Sequence, residues 1–299
     1  MIEPGRELPP EAIAWVERET GGRVLAVHPV QVSSTSVHFV DVGTSSGTTD
    51  SLALRRYTDA GRLGSDPWYV PANEIRAMEL LAPTPVPAPV LLAADPDGSE
   101  CDVPSLLTTR LPGKAPGAIA DVDDFTRQLA EHLLAIHRVA PIERPDRLPG
   151  YERYTAAAEL PFPDYTVHTG AWERVLEIVA GPEPASAQIF IHRDYHQWNT
   201  LWDGNGLTAI VDWTTGCWGP PAIDVGRMRQ NLAWDYSAEV ADAFLLHYEA
   251  LGGPGTEDRV YWELVDCADS LPFGPPGEDD PVKVRRLDDW VADLVAQYS

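Results

Sequence analysis

Between Phe190 and Trp202 the chain reads FIHRDYHQWNTLW: a His, an Arg and an Asp at the end of an apolar run, with an Asn five positions past the Asp. AQIFIH reads as a short strand, NTLWD as another, DGNG as a tight reversal around Asn205 and Gly206, and LTAIVDW as the returning strand. Such a hairpin brings Asp212 back to the mouth of the loop that carries Asp194 and Asn199, so the three side chains are expected to converge. Two carboxylates and an amide oxygen suit a hard cation such as Mg²⁺, which takes one or two protein carboxylates and fills its remaining positions with phosphates and water. The chemistry that needs such a set is phosphoryl transfer, in which a metal neutralises phosphate charge and a carboxylate orients the attacking hydroxyl. Asp194 would take the last role, Asn199 and Asp212 would hold metal, and His192 would brace the loop beside Asp194.

The elements that must position these residues fall into two halves. From Val24 to about Tyr57 the patterns VLAVHPVQV, SVHFVDVG and SLALRRY predict an antiparallel sheet, with GTSSGTTD as a turn. PANEIRAMELL has near-helical apolar spacing and stops at the proline-rich LAPTPVPAPV; VLLAAD is a further strand, and SLLTTRLPGKAPG a connection between two lobes. Beyond it the chain is mostly helical. DVDDFTRQLAEHLLAIHRV sets Phe125, Leu129, Leu133 and Ile136 on one stripe with Asp121 or Asp123 as N-cap, and further helices are expected in TGAWERVLEIVAG, SAEVADAFLLHYEAL, RVYWELVDCADSL and VRRLDDWVADLVAQY.

The H-R-D-x-x-x-x-N spacing, a strand-end Asp and a later PPAIDVGR together resemble the aminoglycoside phosphotransferase and choline kinase group of protein-kinase-like small-molecule kinases. The resemblance covers most of the chain. It implies an α+β bilobal fold: residues 1–110 a nucleotide-binding lobe with a five-stranded antiparallel sheet and one helix, residues 111–299 a larger α-rich catalytic and substrate-binding lobe, with a hinge near Thr108 to Leu111. It implies ATP or GTP and Mg²⁺ as cofactors. It sets Arg55, or Arg56 one residue on, where the family presents its phosphate-binding Lys, with Glu74 as the helix acid that pairs with it. Ser34 and Thr35 fall in the nucleotide-covering loop, Gln31 to Ser36, and Thr109 and Leu111 at the hinge. Two departures stand out: an Arg in place of the Lys, whose fork of donors is not equivalent to a point charge, and a covering loop without the usual glycines.

Only eleven residues separate Asp212 from Asp224, with no A-P-E, so a protein substrate has little room to dock. Asp224 is expected to anchor the catalytic loop. The substrate is then a small, cationic molecule, an aminoglycoside-like antibiotic first, in which case the activity would confer antibiotic resistance. A choline, sugar or macrolide kinase is the alternative, as is a nucleotide-binding pseudokinase. Glu263, Asp266 and Asp269 recur every three residues in YWELVDCADSL. That spacing predicts a solvated acidic face, and the resemblance implies that such acids can contact substrate amines.

Bulk properties exclude several classes. With 46 acidic against 22 basic residues the formal charge is -24, which repels nucleic acid and anionic membranes and draws in cations. Cys101, Cys217 and Cys267 are too scattered for a zinc site or a disulfide framework. His192 and His196 lack the H-E-x-x-H helix of a metalloprotease. The start, MIEPGRELPPEAIAW, has no basic segment leading into an apolar run, so a soluble cytoplasmic protein is expected, as monomer or homodimer.

Overall fold

The structure is a computed structural model and describes residues 7–30, 35–140, 148–274 and 280–298. The chain divides into two compact units: Met1–Gly113 with Thr208–Thr215, and Lys114–Leu207 with Gly216–Ser299.

The first unit begins with α1 (Pro10–Thr20), followed by β1 (Arg23–Val30), β2 (Ser36–Gly43), β3 (Thr49–Arg56), α2 (Pro71–Leu81), β4 (Leu91–Asp95) and β5 (Ser105–Thr109). The strands form one antiparallel sheet in the order β1-β2-β3-β5-β4. Burial alternates along β2 with period two, as expected of a strand with one face on a core. That core gathers Val40, Val42, Leu52, Leu54 and Leu107 from the sheet and Ala12, Trp15 and Val16 from α1. The helix α1 was not expected from the sequence, although Ala12, Trp15 and Val16 have the i, i+3, i+4 spacing of an apolar face and Pro10 sits at its first position, where a missing N–H costs nothing. Gly21 ends it at φ 63°, a left-handed cap that suits glycine.

The second unit contains α3 (Val122–His137), α4 (Thr169–Val179), β6 (Ile189–Ile191), β7 (Thr200–Asp203), β9 (Cys217–Gly219), α5 (Pro221–Asp235), α6 (Ala238–Ala250), α7 (Arg259–Ser270) and α8 (Pro281–Gln297). The chain turns from β7 through Gly204, at φ 58°, into β8 (Gly206–Ile210), whose last residues belong to the first unit. Strands β6 and β9 pair antiparallel, Phe190 opposite Trp218. Phe125, Leu129, Leu133 and Ile136 are buried as their stripe requires, and Asp121 caps α3 by accepting from the Asp124 N–H at 3.1 Å. The most enclosed helix, α5, carries no apolar stripe: Asp224, Arg229, Gln230 and Asn231 are buried on it beside Ile223, Val225 and Met228. A helix covered on all sides loses the amphipathic signal that would reveal it in sequence.

One correction follows. Glu263, Asp266 and Asp269 do not form a solvated face; they are 1%, 8% and 6% exposed. Arg229 of α5 pairs with Glu263 and Arg227 of α5 lies near Asp266, while Asp269 accepts from the Tyr154 N–H. Asp280, just before α8, caps it by accepting from the Val282 and Lys283 N–H groups. Among the described residues no helix is long and apolar enough to cross a membrane.

Candidate active site

In the first unit, Arg55 near the end of β3 faces α2. Its Nε lies 3.3 Å from Glu74 Oε1, and its Nη1 donates to Asp212 Oδ1 at 3.0 Å and to Thr35 Oγ1 at 3.3 Å. Neighbouring residues on a strand point to opposite faces, and Arg56 accordingly turns away and pairs with Asp102. Glu74 also accepts from the Tyr57 hydroxyl at 2.7 Å. Burial pushes the Glu74 carboxyl up, and Arg55 pulls it back. Burial works against the Arg55 charge too, yet Asp212 and Glu74 outweigh it and hold the guanidinium above its ordinary value. Asp212 reaches Arg55 because its segment belongs to this unit: Ile210 N–H donates to Pro87 O at 2.8 Å, and the turn Trp213–Thr215 packs on α2. Asp212 sits at φ 67°, a left-handed conformation that Asp tolerates better than most residues. Thr214 Oγ1 donates to Asp212 Oδ1, the same oxygen that Arg55 holds, so Oδ2 takes neither bond. Of the other candidates here, Thr109 Oγ1 accepts from the Val90 N–H, Leu111 follows β5, and Ser34 lies outside the described residues.

In the second unit, the loop after β6 is gripped by α5. Asp224, buried in its first turn, accepts from the His192 N–H at 2.8 Å and from the Arg193 N–H at 2.6 Å. This is the anchoring role expected of it. Its Oδ2 also lies 3.2 Å from His137 Nε2, whose ring continues through Nδ1 to the Tyr248 hydroxyl at 2.6 Å. Arg193 pays for its place with a left-handed backbone, φ 70°, and lays its guanidinium 3.7 Å from the Tyr154 ring centre. His192 is fully buried with its ring edge-on to Tyr195.

Asp194 comes next. Arg227, one turn along α5 from Asp224, donates to its Oδ1 through Nε at 2.9 Å, and Nη2 lies 2.8 Å from the same oxygen. His196 Nε2 lies 3.4 Å from Oδ2, and Asn199 Nδ2 donates to Oδ2 at 3.2 Å and to the Asp194 carbonyl at 2.9 Å. Burial alone would raise this carboxyl, but His196 and Arg227 outweigh it and hold the group well below the usual carboxylate range. A carboxylate so stabilised is a good orienting acceptor and a weak base. At the far end of the loop Asp235, the last residue of α5, accepts from Gln197 Nε2 at 2.5 Å and Trp198 Nε1 at 2.7 Å, and from Lys283 Nζ of α8 at 2.5 Å. Arg227 and Asp235 were not singled out in the sequence. For Arg227 the signal was present, three residues after Asp224 in IDVGR.

Asn199 spends its amide nitrogen on Asp194, which leaves an amide oxygen for a cation; Asp212 likewise keeps one carboxylate oxygen clear of Arg55 and Thr214. These are donors of the kind Mg²⁺ accepts when phosphates complete its shell. Among the described residues no group of three or more His, Cys, Asp or Glu side chains forms a metal cluster. Of the acids on α7, Glu263 is taken up by Arg229 and by Arg259, whose Nη1 donates to Oε2 at 2.8 Å. Asp266 Oδ1 lies 3.6 Å from Arg227 Nη1, and Asp269 Oδ2 accepts from the Tyr154 N–H at 3.4 Å.

A five-stranded antiparallel sheet with one helix bearing the Arg55 and Glu74 pair, followed in the chain by a helical part that holds an H-R-D-x-x-x-x-N loop, defines a kinase-like small-molecule phosphotransferase. The chain belongs to the phosphotransferase enzyme family, whose profile matches residues 40–262. Solved structures agree on the fold. A thermostable mutant of aminoglycoside phosphotransferase APH(4)-Ia, in complex with ADP and hygromycin B, is 17% identical, with 94% of this chain and 98% of that one covered at a TM-score of 0.62. Macrolide 2'-phosphotransferase MphH from Brachybacterium faecium is 17% identical, with 96% and 98% covered at 0.62. Amicoumacin kinase hAmiN, in complex with AMP-PNP, Ca²⁺ and Ami, is 12% identical, with 97% of this chain and 90% of that one covered at 0.60. No curated protein matches.

Proposed function

We propose that this protein transfers the γ-phosphoryl group of ATP, or of GTP, to a hydroxyl of a small cationic molecule, with an aminoglycoside-like antibiotic as the first candidate. The observation that carries the reading is the state of Asp194: ionised, oriented by Arg227 and Asn199, on a loop whose backbone Asp224 grips. In this reading Asp194 orients the attacking hydroxyl and takes its proton late, as a loose phosphoryl transition state allows for a weak base. His192 stays a packing residue beside it. Arg55, supported by Glu74, pairs with nucleotide phosphate, and Asn199 and Asp212 hold Mg²⁺, which would neutralise the phosphate charge. Ser34, Thr35, Thr109 and Leu111 contact the nucleotide. Residues 1–110 serve the nucleotide and 111–299 serve catalysis and the acceptor. The protein works in the cytoplasm, as monomer or homodimer. The relatives of known structure, which hold hygromycin B, amicoumacin or, by name, act on macrolides, support a small antibiotic as acceptor; choline and sugars complete the panel.

A second reading is favoured by one contact. Arg55 bonds directly to Asp212 at 3.0 Å, where a Lys point charge would leave that carboxylate freer. A chain so locked would bind nucleotide without turnover. ADP release with Mg²⁺ over aminoglycosides, macrolides, choline and sugars separates the two. Turnover of one acceptor, abolished by Asp194→Ala with ATP binding intact, supports the kinase; silence over the panel with tight ATP binding supports the second reading.

A further inference from the structure

We infer that Asp266 is a positioning residue for phosphoryl transfer: from α7 it orients the Arg227 guanidinium that Arg227 in turn presents to Asp194. This rests on the kinase reading for the task of Asp194, and on the second unit alone for the contacts. The seam between α5 and α7 sets the geometry. Gly226 lies so close to α7 that a Cβ there would stand 3.2 Å from Glu263 Cα. At that separation Arg229 reaches Glu263, and Asp266, three residues on and therefore on the same face of α7, comes level with Arg227. Arg227 works in two directions. Its Nε and Nη2 lie 2.9 and 2.8 Å from Asp194 Oδ1, while Nη1 lies 3.6 Å from Asp266 Oδ1. A guanidinium is planar and turns as one body, so a charge facing Nη1 fixes the edge that meets Asp194. The 3.6 Å contact is longer than a hydrogen bond and acts through charge.

Charge points the same way. Burial works against the Arg227 guanidinium; Asp266 first, and Asp194 next, outweigh it and hold the group above its ordinary value. Asp266 is buried, and its Oδ2 has no hydrogen-bond partner among the described residues. The cavity of about 230 Å³ on this side of the unit is lined by Arg227 and Asp269 but not by Asp266. An acceptor seated there touches the guanidinium and leaves Asp266 to Arg227. Burial raises the Asp266 carboxyl to about 7; Arg227 and Arg193 pull it down, while Asp269 and Asp194 push it up. Tyr151, Tyr154 and Cys267 also face it, and burial lifts all three above their ordinary values, so they stay neutral where Asp266 titrates. Its carboxyl therefore reports on Arg227 and Asp194.

Two measurements on the full chain test this. Carbon-13 NMR of the Asp266 carboxyl needs no turnover: Asp194→Asn should move its midpoint to lower pH, because a like charge is lost, and Arg227→Gln to higher pH, because a counter-charge is lost. ADP release, with the panel acceptors and with water alone, reads the consequence. Asp266→Asn should lower kcat about tenfold or more for every acceptor that turns over, cationic or neutral, and hold each KM within about twofold, the pattern of an interaction felt only in the transition state. Its Tm above the Asp266 midpoint should not fall, which separates positioning from loss of the fold. A rise in KM for cationic acceptors alone, or a kcat within about twofold of the unmodified protein, overturns the inference and keeps the kinase. An Asp266 midpoint identical in the three proteins overturns it whether or not any acceptor turns over. Shifted midpoints in a chain that turns over no acceptor keep the coupling of Asp266, Arg227 and Asp194 and sink the kinase.

Discussion

Asp224→Asn should loosen the catalytic loop by an amount the structure allows to be worked out. The carboxylate accepts two backbone N–H bonds, at 2.8 and 2.6 Å, and lies 3.2 Å from His137 Nε2 on one of the same oxygens. An Asn of the same shape offers one carbonyl oxygen, and its NH₂ must face either a backbone N–H or the imidazole. One hydrogen bond to a charged acceptor is lost, about 1.5–3 kcal/mol, and a buried donor is left unsatisfied, about 1–3 kcal/mol. Release of Arg193 from its left-handed backbone at φ 70° returns about 1–2 kcal/mol. The net loss is about 2–4 kcal/mol, which at 1.4 kcal/mol per decade opens the loop roughly 30- to 1,000-fold more often. Native-state hydrogen exchange at the His192 and Arg193 amides reads this directly, with amides of α3 as an internal reference. Because Asp194 follows immediately, kcat should fall while the KM for nucleotide stays within about twofold. Protection of both amides within a factor of three of the unmodified protein would refute the assignment of Asp224 as the loop's anchor.

Three further outcomes are expected. Glu263→Ala strips Arg229, itself buried, of one partner and Arg259 of another; it should cost about 3–5 kcal/mol in urea unfolding, as the loss of half of a buried ion pair does. Arg55→Met should weaken binding of a fluorescent nucleotide at least tenfold, whereas Arg56→Met, which loses Asp102, should lower stability and leave nucleotide affinity in place. Asp266, lifted by burial to about 7 and facing Arg227, Asp269, Asp194 and Arg193, binds more protons folded than unfolded between about pH 4 and 7. Its contribution is fully present below the unfolded carboxylate value and is lost as the pH rises through the folded one, with a slope of at most about 1.4 kcal/mol per pH unit; Asp266→Asn should flatten the Tm profile over that range.

What could be read in the sequence was what local pattern encodes. The α3 stripe, strands β1 to β4 and the order of Asp194, Asn199 and Asp212 follow from period and spacing, whereas β5 lies in the stretch read as the connection between lobes. So does the anchoring Asp224, because its motif is short. What stayed hidden depends on partners distant in the chain. Arg227 meets Asp194 across 33 positions, and Arg229 meets Glu263 across 34, so an acidic repeat that looks solvated in isolation is buried inside the fold. Helix α5 escaped for the related reason that its buried polar residues, of which Asp224 and Arg229 are held by other elements, erase the apolar period.

That helix also acts as a measuring stick. Asp224 holds the first residues of the loop, Arg227 the carboxylate after them, and Asp235 its closing turn, so positions along the helix run in the same order as positions along the loop. Asp235 lies eleven positions past Asp224, three helical turns and about 16 Å at 1.5 Å per residue, which returns them to one side. Deleting one residue between Arg227 and Asp235 would swing the last grip by about 100° and draw it in by about 1.5 Å. The spacing of these three side chains is therefore a dimension the protein must keep, whatever freedom its surface turns have to lengthen or shrink.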